Sequence, residues 1–228
     1  MWWRDDDAVR PTPALDRLLA IAAGVPLALA VIPGRAVASL AQPLALYPGL
    51  RVLQHGWMHA NHAAADEKKC ELGRHRPLPL IMDELAAGWQ RLAGLFGPLA
   101  IAVLTPPWNR MSEDLVPLLA AAGYLGLSAA GPRRQAEPSP RLRQVNTHAD
   151  LAAWPTGRFV GSASALDLVT AHLAARRAGR VDATEPTGLL THHLIMDRES
   201  EIFIARFLAL TREHRAVRWL GAAEAFAA

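Results

Sequence analysis

Short apolar runs separated by longer stretches of helical spacing recur from one end of this chain to the other, and that alternation leaves few folds open. The runs at 25–32, 99–104 and 188–191 have the length and continuity of strands buried on both faces. Shorter pieces at 1–4, 51–54, 124–129, 143–146, 158–160 and 217–220 read as further strands. Between them, 12–22, 80–96, 112–122, 164–178 and 200–214 carry apolar residues at helical spacing. Thr12 and Pro13 open the first helix as N-cap and first helical residue. Ser112, with Glu113 and Asp114 behind it, opens a later one. Residues 62–78 are polar and aperiodic, so a long loop is expected, and 131–142 reads as an exposed excursion. Strand–helix alternation predicts a parallel α/β sheet, and roughly six to eight such units can close into a barrel. No internal repeat or linker interrupts the pattern, so 1–228 is expected to form one domain.

Composition excludes several functions. With 51% hydrophobic and 20% charged residues the chain has an ordinary globular balance, and disorder is not expected. A net charge of +3 is small for 228 residues, and Arg133-Arg134 and Arg176-Arg177 are too short to make a nucleic-acid footprint; both read as solvated surface. Cys70 is the single cysteine, which rules out an internal disulfide. The longest apolar run, 18–33, is broken by Gly24 and Pro26 and is too short to span a bilayer. Charged residues follow the first three positions at once, so no signal peptide is read and a cytoplasmic location is expected.

Chemistry-bearing residues stand where the strands are expected to end. Asp5-Asp6-Asp7 follows the first strand and His55-Gly56-Trp57-Met58-His59 the third. Pro107-Trp108-Asn109 follows the run at 99–104, and His192-His193 follows 188–191. The carboxyl ends of parallel strands share one face, so these groups are expected to converge. Histidines four apart reach one cation from the same side of a helical turn, and adjacent carboxylates repel one another unless a cation lies nearby. Two imidazoles and a carboxylate leave a position open for water, the pattern of a catalytic zinc site. Such an ion polarises a carbonyl and acidifies water, and a second carboxylate and a free histidine can then serve as base and acid.

These residues resemble the polysaccharide deacetylase superfamily, also called carbohydrate esterase family 4 or the NodB-homology fold. Its ordered motifs appear here as Asp6-Asp7-Ala8, His55 to His59, Thr105-Pro106-Pro107-Trp108 and Leu190-Thr191-His192, with Thr12-Pro13 after the first. The resemblance spans about residues 3–193. It implies a distorted (β/α) barrel of about seven parallel strands and a metal-dependent hydrolase that removes an N-acetyl or other acyl group from a carbohydrate. A small amide or imide as substrate, or a non-catalytic carbohydrate-binding protein, are the alternatives. Asp7, His55 and His59 would hold a divalent metal, with zinc first in line. Asp6 would take a proton from the attacking water and His192 would give one to the leaving amine. Trp108, Pro107, Leu190 and Trp57 would shape the substrate groove. The family carries an arginine where this chain has Thr105, and Arg4 and Arg110 can supply that role. Asp5 competes with Asp6 for the base, and His193 with His192 for the acid. His62 is an alternative ligand, expected instead in a loop, and Asp150 either orients His192 or caps a surface turn.

Overall fold

The computed structural model, which describes residues 1–227, begins with β1 (Trp2–Ala8), α1 (Pro13–Ile21) and β2 (Leu27–Val31). The short α2 (Ala41–Leu44), β3 (Leu50–His55), α3 (Leu78–Phe96), β4 (Ala100–Thr105) and α4 (Leu115–Ala121) follow. Next come the two-residue strands β5 (Gly126–Leu127), β6 (Arg143–Gln144) and β7 (Ala149–Asp150), then a separate antiparallel pair, β8 (Ala152–Ala153) and β9 (Arg158–Phe159). The chain ends through α5 (Ser162–Arg177), β10 (Gly188–Thr191), α6 (Arg198–Thr211) and α7 (Ala222–Ala225).

Eight of these strands form one parallel sheet in the order β6-β5-β4-β3-β2-β1-β10-β7. It curls without closing, because β6 and β7 remain as edges. The result is a distorted (β/α) half-barrel with one strand more than the sequence suggested.

Strand alternation sorts the core into two layers. On β1, Trp3 packs outward under the helices with Leu27 and Leu29 of β2 and Leu15, Leu18 and Leu19 of α1. Trp2 points into the barrel with Ala28, Ala30, Leu53 and Val103, where α7 and Phe226 close one end. Gly126 is needed there: a Cβ would stand 2.3 Å from the Phe226 ring. Thr12 caps α1 as expected, its hydroxyl accepting the Leu15 N–H at 3.1 Å.

Several expectations give way. β1 does not end at Arg4 but continues to Ala8, because its charged residues find buried partners and need no solvent. α4 starts at Leu115 with Asp114 before it, and Ser112 Oγ accepts the Asp114 N–H instead of capping the helix. The strand expected at 124–129 shrinks to two residues, and none forms at 217–220, where Leu220 N–H binds the Met1 carbonyl at 2.8 Å. Arg133, read as solvated, is buried and pairs with Asp182, while Arg134 beside it is exposed. Among the described residues no helix is long and apolar enough to cross a membrane.

Candidate metal centre

The sequence places three aspartates side by side, and the backbone separates them. Pairing of β1 with β2 shifts register between Asp5 and Ala8, and Asp7 takes a left-handed φ of 74°, so the strand bulges at its end. Asp5 stays in the sheet, where its carboxylate accepts the Thr191 hydroxyl at 2.6 Å, the His193 N–H at 2.9 Å and the His193 ring at 2.5 Å. Asp6 is held by Arg4, Nε to Oδ1 at 2.9 Å and Nη2 to Oδ2 at 3.0 Å. Asp7 turns toward the histidines. A cleft of about 500 Å³ opens above, lined by Asp6, Asp7, His55, His59, Trp108 and His192 among others.

His55 ends β3. Its Nδ1 lies 3.0 Å from the Thr105 carbonyl, which can only accept, so Nε2 carries the free lone pair. That Nε2 is 3.2 Å from Asp7 Oδ1, and His59 Nε2 is 3.3 Å from the same oxygen. His59 is not on a helical turn: residues 56–60 are irregular, with left-handed Gly56 and His59, and its ring rests 4.3 Å from that of Trp108.

Asp7 Oδ1 is buried and has no hydrogen-bond partner. Donors bound to zinc at about 2.0–2.1 Å in tetrahedral geometry stand roughly 3.3 Å apart. The three groups therefore fit a divalent metal. Burial pushes the Asp7 carboxyl up, but the imidazoles of His55, His59 and His192 beside it hold it well below the usual range. Burial lowers His55, and Asp6 and Asp7 more than reverse that. His59 is lowered by burial and by His55.

Around this triad, Arg4 also donates to Asn109 Oδ1 and to Ser128 Oγ, both at 2.7 Å. Thr105 leaves its own hydroxyl buried and unpartnered, and Arg110 is exposed and donates to the Lys69 carbonyl. His192 faces the cleft, its Nδ1 3.8 Å from Asp150 Oδ1. Asp150 does cap a turn, its Oδ1 accepting the Ala152 N–H at 3.0 Å, while its Oδ2 accepts the Trp154 indole N–H at 2.9 Å, and both Asp150 and Trp154 line the cleft. His193 points away into its buried pair with Asp5.

Trp57, Pro107 and Leu190, expected in the groove, are not among the residues lining it. Leu190 is buried within β10, and Pro107 packs where a Cβ on Gly56 would strike it. The Trp57 main chain donates to Glu71. His62 lies 3.1 Å from Arg76 Nη1, outside the ligand set. Sequence reading missed Trp154 as a cleft residue, and it missed Glu71, a buried carboxylate inside a segment that looks like charged surface.

A second cluster, His148, His172 and Glu185, has ligand-like spacing. His148 Nδ1, however, accepts the Gly188 N–H at 3.0 Å, which leaves its proton on Nε2 beside Glu185 Oε2 at 3.3 Å. A protonated ring nitrogen has no lone pair for a metal. His148 stacks on His172 at 3.4 Å, and Thr187 bonds the second ring, so the group is a hydrogen-bonded core beneath α5.

No family model and no curated protein matches the sequence. Solved structures do, and the fold they share with this chain is that of the polysaccharide deacetylases. A Mycobacterium smegmatis protein provisionally assigned as a polysaccharide deacetylase superposes with a TM-score of 0.68 at 21% identity, covering 93% of this chain and 75% of that one. A peptidoglycan N-acetylglucosamine deacetylase, solved with an N-oxidanyl-benzamide ligand, gives 0.60 at 13% identity, with 97% and 85% covered. A family 4 acetyl xylan esterase from Clostridium thermocellum, solved with a cobalt ion, gives 0.52 at 12% identity, with 92% and 84% covered.

Proposed function

We propose that this chain is a single-domain, metal-dependent hydrolase of the polysaccharide deacetylase superfamily, which removes an N-acetyl or related acyl group from an amino-sugar substrate. The observation that carries this is the meeting of Asp7 Oδ1 with two imidazole nitrogens at 3.2 and 3.3 Å, in a cleft that Asp6 and His192 also line. A peptidoglycan N-acetylglucosamine deacetylase of this fold was solved with an N-oxidanyl-benzamide, and an acetyl xylan esterase of this fold with a cobalt ion.

Asp7, His55 and His59 hold the metal, and two nitrogens with one carboxylate suit zinc. Bound there, it supplies Lewis acidity to the acyl carbonyl and acidifies the attacking water. Asp6 takes the proton of that water, with Arg4 fixing its carboxylate plane. His192, with the Asp150 carboxylate 3.8 Å away, gives a proton to the leaving amine as the C–N bond breaks, and the acyl group departs as a carboxylate. Trp108 and Trp154 offer ring faces on the cleft that suit a sugar's apolar side.

The missing arginine at Thr105 favours a non-catalytic sugar-binding chain, and the Arg4 fork on Asp6 supports the enzymatic reading against it. Purified, zinc-loaded protein incubated with N-acetylated mono- and oligosaccharides should release acetate. Release from small amides or imides alone would move the substrate away from sugars. No release from either panel would sink the enzymatic reading.

A further inference from the structure

We infer that Glu71 is the positioning residue for the metal centre: it sets metal affinity by holding the turn that carries His59. The inference rests on the metal-dependent reading above.

Two of the three ligands have rigid supports. Asp7 stands at the end of β1 and His55 at the end of β3, each in a central strand of the sheet. His59 has none, because it lies in the irregular turn 56–60 with a left-handed φ of 57°. What shapes that turn is a carboxylate from a distant loop. Glu71 is fully buried, and its oxygens accept three main-chain N–H groups around the ligand. These are Trp57 to Oε2 at 3.0 Å, and Met58 and Ala60 to Oε1 at 2.7 and 3.2 Å. No arginine, lysine or histidine forms a salt bridge with Glu71 among the described residues; the convergent N–H groups are its direct partners.

Glu71 is itself anchored. Leu72 next to it is buried, bridges to Met111 and accepts the Ser112 N–H at 2.8 Å. The carboxylate thus joins the ligand turn to the segment that follows Trp108. Position 56 reflects how close it comes: a Cβ there would stand 2.0 Å from Glu71 Oε2, so only glycine fits. A carboxamide cannot replace the carboxylate. Its single oxygen accepts on one side, and its NH₂ would face a main-chain donor on the other.

The experiment compares wild type with Glu71→Gln, Glu71→Asp and, as a reference on the same loop, Glu67→Gln, whose side chain is exposed and pairs with His75. Zn²⁺ affinity is read by competition with a chromophoric chelator, at a temperature where circular dichroism shows each protein folded. Exchange of the Trp57, Met58 and Ala60 amides is read in parallel. Glu71→Gln should bind Zn²⁺ about 10–100-fold more weakly, as loss of a ligand's supporting partner commonly does. Those three amides should exchange faster, Glu71→Asp should fall between, and Glu67→Gln should match wild type. Folded Glu71→Gln that binds Zn²⁺ like wild type overturns the inference. Should that variant fail to fold, Glu71→Asp with unchanged affinity overturns it equally. Wild-type protein that binds no Zn²⁺ overturns the metal reading itself, and Glu71's role with it.

Discussion

Arg4 grips Asp6 from two residues away on the same strand, through both Nε and Nη2, with both side chains buried. Residues two apart on a strand project to the same face, so β1 carries the carboxylate and its clamp together. A guanidinium fork meets both carboxylate oxygens in one plane, while Nη2 also donates to Asn109 Oδ1 and Nη1 donates to Ser128 Oγ. Thr105 stands where the resembling family carries an arginine, and the arginine in contact with Asp6 here is Arg4 on the first strand.

Arg4→Lys tests that clamp. The ammonium keeps the charge but loses the fork, so Asp6 should stay neutralised yet wander. We expect kcat to fall about 10–100-fold with little change in KM or in metal affinity. Steady-state kinetics with a zinc titration decide it; an unchanged kcat removes Arg4 from the mechanism.

His192 and His193 should part cleanly. His192→Gln should abolish turnover while leaving the melting temperature near wild type, because that ring faces the cleft. His193→Gln breaks a buried pair with Asp5, which typically costs about 3–5 kcal/mol. Thermal melts and acetate release on the two variants check the assignment, and the reverse pattern would make His193 the acid.

Metal removal should leave a folded but inactive protein. Dialysis against a chelator should end activity and lower the melting temperature, and added Zn²⁺ should restore both, since a ligand that binds only the folded state stabilises it. Asp7→Asn and His59→Ala should be inactive and show no such Zn²⁺-dependent rise.

Acid sensitivity should come partly from the stacked imidazoles beneath α5. Burial, then His148 beside it, lowers His172 from 6.5 to about 4. Between those values the unfolded chain binds a proton that the folded one refuses, so stability falls as pH drops through that window. His172→Gln, which can still meet the Thr187 hydroxyl, should flatten the loss. Melting temperatures from pH 7 to 4 measure it; an identical slope in the variant discounts His172.

What was legible in the sequence is the part written in local pattern. β10 matches its expected bounds, Thr12 caps α1, and all five core residues of the proposed metal and acid–base set line one cleft. What was hidden depends on partners far along the chain. Charge at Arg4 to Asp7 looks like a strand's end, because nothing local shows that Ser128, Asn109 and His193 wait to satisfy it. Glu71 looks like surface for the same reason, its partners being main-chain donors that carry no letter in the sequence. Leu190 and Pro107 were expected in the groove from the family resemblance, whereas both are buried and do not line the cleft.

The bulge in β1 has a genetic consequence. Three consecutive codons for one amino acid serve three unrelated demands, so a saturation scan across them should return three distinct phenotypes from chemically identical replacements. Asparagine at position 5 should cost yield of intact protein, at position 6 the speed of the reaction together with the stability its pair with Arg4 gives, and at position 7 the ion.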